Sequence, residues 1–195
     1  MSEFEFVFSL FSLVLGLTLV EVLGGFVRSM KQVRTRRETS GNIGIGLLTP
    51  LLAVFMMLDV SSYWISIWGI RDGITVGYPA VFLGLIVTGG YYYAASMVFP
   101  DDFKTWPHLD LWFWEHRRQA LGPLFVITLV GALLHDSMSG APTNPVALYV
   151  LRSLYFGMIL VAGLARSRSV VVVALASLSL LYLGVGLAET IGIAV

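Results

Sequence analysis

Four ionisable side chains stand inside the long apolar stretches of this chain: Glu21, Asp59, Arg152 and Glu189. A charge carried into hydrocarbon costs roughly 2.5–3.5 kcal/mol on insertion scales, so each needs a counter-charge, water or a proton. The same three remedies move protons and small ions, and that makes these residues the first candidates for function. Position along the stretches puts Asp59, Arg152 and Glu189 in the central and outer parts of their segments. Arg152 is therefore expected to neutralise Asp59 or Glu189, as a clamp between helices or as part of an ion pathway. Glu21 lies about two helical turns before Arg28, and its carboxylate is expected to reach toward the cytoplasmic interface or to dock against Arg117 and Arg118. A proton relay from Glu21 to Asp59 would need bridging water, because the two differ in depth.

The elements that carry these groups follow from hydropathy and charge. The sequence is 57% hydrophobic and only 12% charged, too few charges to cover a water-soluble fold of 195 residues. All twelve Lys and Arg except Arg71 and Arg152 fall in the stretches 28–37, 104–118 and 166–168, which are alternate gaps between apolar segments. Lys and Arg are retained on the cytoplasmic side of bilayers, so this alternation predicts a topology as well as a class. The chain is expected to be all-α, a single membrane domain over residues 1–195. It reads as a polytopic bundle of six transmembrane helices at about 4–27, 43–70, 78–99, 120–134, 145–165 and 170–193. A short cytoplasmic interfacial helix is expected at about 101–118, with Trp106, Trp112, Trp114, Arg117 and Arg118 as a docking surface. Both termini then lie outside, in the periplasm if the membrane is a bacterial inner membrane.

Local signals place the segment ends. Residues 1–5 carry two acids and no Lys or Arg, unlike the positive start of a signal peptide, so the first span is expected to be retained. Pro79 and Pro145 fit the first turn of a helix, where a missing N–H costs nothing, and Pro100 marks a stop. Thr49-Pro50 before Asp59 and Asn144-Pro145 before Arg152 hint at an inverted repeat of three helices, but the spacings differ and little else matches. Gly16, Gly24, Gly25, Gly84, Gly89, Gly90, Gly184 and Gly186 are candidates for close helix approach.

Other chemistry is poorly supported. There is no cysteine, hence no disulfide or thiolate site. His108 and His116 would be about 12 Å apart on one helix, too far to share one metal ion, and His135 with Asp136 forms no ligand motif. Tyr91, Tyr92, Tyr93, Trp64 and Trp68 read as interfacial aromatic belts rather than a cofactor box, and no lysine inside a span offers a retinal Schiff base. Ser61, Ser62, Ser153, Ser177 and Ser179 lack a nucleophile elbow, and neither a zinc-protease helix nor a phosphate loop is present. No enzyme activity, cofactor or nucleic-acid partner is expected; the partners are membrane lipids and a homo-oligomer or larger membrane complex. The function read from these residues is a transporter or channel for protons or small ions. The alternatives are a non-catalytic scaffold or accessory subunit of a membrane complex, and a membrane-embedded sensor.

Overall fold

The computed structural model describes residues 2–40, 46–102, 105–106, 108–138 and 144–190, and among these there are helices and no strands. Six α-helices follow one another: α1 (Glu3–Ser40), α2 (Leu48–Gly69), α3 (Tyr78–Ser96), α4 (Leu109–Met138), α5 (Pro145–Leu164) and α6 (Arg168–Thr190). Five of them, all but α3, are long and apolar enough to cross a membrane, which marks the chain as a helical membrane protein. The 19 residues of α3 include three consecutive tyrosines that dilute its apolar character.

The helices run alternately up and down. Ends of α1, α3 and α5 meet starts of α2, α4 and α6, and side chains tie them there. The Asp110 carboxylate accepts the Leu48 N–H at 3.2 Å and pairs with Arg168 at 2.7 Å, so one residue of α4 caps α2 and anchors α6. Thr49 donates its hydroxyl to the Leu109 carbonyl at 3.0 Å. Asn144, by contrast, caps its own helix by accepting the Ala147 N–H. The two polar-proline starts are thus used differently. Gly46 enters α2 with φ +69°, and a Cβ there would strike the Asp110 carboxylate, so this turn requires glycine.

Packing places α2 at the hub. It touches α1, α3, α4 and α6, and reaches α5 through side chains. Its buried residues Leu48, Leu52, Phe55, Met56, Asp59 and Val60 recur at helical spacing and face the centre. On α1 the buried stripe Leu15, Thr18, Val22, Gly25, Ser29 repeats every three or four residues and faces α3. Close approach uses some of the expected glycines. A Cβ on Gly25 would strike the Phe99 ring, one on Gly84 the Phe11 ring and one on Gly90 the Ile127 side chain. Gly16, Gly89, Gly184 and Gly186 have open space at that position instead.

Several expected boundaries are corrected. The segment 101–118 does not form a separate interfacial helix: from Leu109 onward it is the beginning of α4, which continues for 30 residues through Pro123. Leu109, Phe113, Arg117, Ala120, Leu121 and Leu124 are buried along one face, so these turns pack into the bundle. The expected fourth span, 120–134, would extend about 22 Å at 1.5 Å per residue, short of a bilayer core, and its extension at both ends removes that deficit. Pro123 lacks one donor but does not end the helix, as neighbouring helices support such positions in membrane bundles. The basic stretch after the first span is likewise helical, since α1 runs unbroken to Ser40. Residues 43–45 of the expected second span, 191–193 of the expected sixth, Lys104, and 139–143 of the loop after α4 lie outside the described residues.

Candidate functional site

Asp59 is the twelfth of the 22 residues of α2, about 16 Å from either end at 1.5 Å per residue. It is 2% exposed. The partner is not Arg152. Three phenol hydroxyls from three other helices converge on the carboxylate: Tyr155 of α5 donates to Oδ1 at 2.6 Å, Tyr182 of α6 donates to the same oxygen, and Tyr91 of α3 donates to Oδ2 at 3.0 Å. One carboxylate thereby joins α2, α3, α5 and α6. The Tyr155 hydroxyl also lies 3.2 Å from the Thr128 hydroxyl of α4, which extends the chain of hydroxyls to a fifth helix.

Aromatic packing fixes these phenols. Phe55, one turn before Asp59, contacts the rings of Tyr155 and Tyr182 with centroids 6.3 and 6.2 Å away. Tyr63, one turn after it, leans on Tyr91 at 5.1 Å. Tyr155 and Tyr182 meet edge to face at 5.9 Å. Rings held in this way present their hydroxyls to Asp59 with little rotational freedom to lose. Each hydroxyl can donate one proton and accept others, and a carboxyl can do either according to whether it carries a proton. The cluster is therefore able to hold and pass a proton without a cation in contact.

The remaining candidate charges lie elsewhere. Arg152 reaches away from the middle of α5 and holds both oxygens of Asp136 at 2.7 and 2.6 Å. A long arginine side chain brings its charged head toward the end of the bundle, where water is nearer. Asp136 is on α4 because that helix extends to Met138. The pair is partly exposed, 21% at Arg152 and 38% at Asp136, so Arg152→Gln is expected to cost at most about 1 kcal/mol in an unfolding titration. Glu21 bonds Arg28 of its own helix at 3.1 Å, whereas Arg117 bonds carbonyls of α5. The Glu189 side chain lies outside the described residues.

The expected docking surface is largely occupied from within. Arg117 is 6% exposed and donates to the carbonyls of Ala162 at 3.2 Å and Ala165 at 2.6 Å, closing the end of α5. Its guanidinium lies 4.3 Å from the Trp114 ring centroid. Trp112 donates its indole N–H to the Met97 carbonyl at 3.0 Å, stacks on His116 at 3.5 Å and meets Trp106 edge to face. Arg118 is exposed.

The tyrosines are what sequence reasoning missed. Tyr91 reads as part of an aromatic belt, but Tyr155 sits at the middle of α5 and Tyr182 well inside α6, away from the interfaces where belts form. A tyrosine at that depth needs a partner for its hydroxyl, and this was the available signal. The chain matches no protein-family model, and no curated protein and no solved structure matches it either.

Proposed function

We propose that this protein is a small multi-pass membrane protein that conducts protons across a cell membrane through the Asp59 cluster. The observation that carries this reading is a carboxyl group at the centre of a membrane helix whose contacts are three tyrosine hydroxyls. Ionisable groups at that depth are costly and mark proton relays and ion paths by default. The hydroxyl chain from half-buried Thr128 through Tyr155 and Asp59 to half-buried Tyr182 supports a route for the proton. In this reading α3 is a sixth span, with residues 97–99 completing it. Arg28, Arg117, Arg118, Arg166 and Arg168 belong to the ends that meet Asp110 and Ala165, which supports placing that end in the cytoplasm and both termini outside.

The test is proton flux into liposomes under an imposed potential. Wild-type protein should acidify the lumen faster than empty liposomes; Asp59→Asn should abolish that excess, and Tyr155→Phe should lower it several-fold. Equal flux from Asp59→Asn would end the proposal. The near-complete burial of Asp59 favours a second reading, in which the cluster is a polar knot that fixes helix register in an accessory subunit or scaffold. That reading expects no flux from the wild type and a stoichiometric membrane partner after gentle solubilisation.

A further inference from the structure

Among the described residues most cations find a partner inside the chain. Arg28 pairs with Glu21, Arg71 with Asp72, Arg152 with Asp136 and Arg168 with Asp110, while Arg117 bonds the carbonyls of Ala162 and Ala165. Arg118 and Arg166 differ: both are exposed, and neither makes a hydrogen bond or ion pair among the described residues. Arg117 brings their elements together. It precedes Arg118 on α4 and reaches 2.6 Å to the carbonyl of Ala165, the residue before Arg166 in the turn from α5 to α6. Trp114, whose ring lies under the Arg117 guanidinium, stands one turn before Arg118, so these three residues share one side of α4. Trp112 and His116 occupy the other side, where Trp112 bonds Met97 at the end of α3.

Nearby acids do not cancel this charge. Asp110, on the same side of α4, is held by Arg168; exposed Glu115 stands at the rim; Asp101 and Asp102 follow α3, which meets the opposite side of α4. Arg117, Arg118 and Arg166 thus face one acid, and the patch stays positive. It lies where α5 ends and α6 begins, the depth at which a spanning helix reaches the lipid headgroups. From this excess of positive charge at headgroup depth we infer that Arg118 and Arg166, grouped around Arg117, bind the phosphate of an anionic phospholipid of the phosphatidylglycerol class. A guanidinium matches phosphate with two parallel N–H donors, and basic pockets between membrane helices hold anionic headgroups. A zwitterionic headgroup brings a cation of its own, which the same arginines repel. Lipid binding at this end of the bundle does not depend on proton conduction through Asp59.

The experiment is native mass spectrometry of the full chain taken from vesicles of equal phosphatidylglycerol and phosphatidylcholine with identical acyl chains. Wild type should retain phosphatidylglycerol several-fold over phosphatidylcholine. Arg118→Gln combined with Arg166→Gln should bring the two lipids to equal retention while keeping the wild-type helical circular dichroism, because neither side chain bonds within the bundle. Each single replacement should remove part of the preference, which keeps the test open should the double variant misfold. Glu115→Gln should raise the preference, and Arg71→Gln, at the opposite end of the bundle, should leave it unchanged. An unchanged preference in the folded double or single variants, or an equal loss in Arg71→Gln, overturns the site. Equal retention of both lipids by wild type overturns the anionic headgroup, and release of the lipid by added inorganic phosphate would assign the arginines to a soluble anion instead.

Discussion

Replacing Asp59 by Ala is expected to destabilise the bundle by about 2–3 kcal/mol, because three phenol hydroxyls lose their acceptor at once. Hydrogen bonds between membrane helices are worth roughly 0.6–1.7 kcal/mol each, and Tyr91, Tyr155 and Tyr182 each make one to this carboxylate. Unfolding titrations in mixed micelles would measure the loss. The informative partner experiment removes donors and acceptor together. Asp59→Leu combined with Tyr91→Phe, Tyr155→Phe and Tyr182→Phe leaves no phenol hydroxyl orphaned, and only half-buried Thr128 loses a partner; apolar replacement of a satisfied polar group is often near neutral. Most of the lost stability should return, whereas proton flux should not. If the quadruple variant is stable and conducts like the wild type, the cluster has no part in conduction.

Arg117→Ala carries the other large effect, a loss of about 3 kcal/mol in the same titration. Two carbonyls in the last turn of α5 would lose a charged donor, and such bonds contribute roughly 1.5–3 kcal/mol each, partly offset by no longer burying the cation. The guanidinium also covers Trp114. Lysine offers a single ammonium in place of the planar fork, so Arg117→Lys should recover less than half of the loss. Arg118 is the internal control: it is exposed, and Arg118→Ala should stay within about 0.5 kcal/mol. Equal effects at the two positions would show that the end of α5 is not held by Arg117.

These contrasts show where sequence reasoning stopped. Pro79 and Pro145 marked the first turns of α3 and α5 because proline's missing N–H leaves no helical hydrogen bond unmade there. The segment 101–118 misled because its charges and indoles resemble an interfacial helix. Its periodic buried face, Leu109, Phe113, Arg117 and Leu121, is instead continuous with the core side of α4. A helix that begins polar and becomes apolar has no internal signal that divides it.

By itself the sequence determined that this is a helical membrane chain, because apolar length and the scarcity of charge depend on composition alone. It also named Asp59 as one of four costly residues, with Glu21, Arg152 and Glu189. The choice of partner was made by the tertiary structure. Tyr155 and Tyr182 lie 96 and 123 residues from Asp59, and what brings them within hydrogen-bonding distance is the rotation and depth of α5 and α6 against α2. Charge alone favoured Arg152, but its flexible side chain found Asp136 near the end of the bundle, where less desolvation is required. Helix packing decides which groups share a depth and a face, and that information is distributed over the whole chain rather than written beside any one residue.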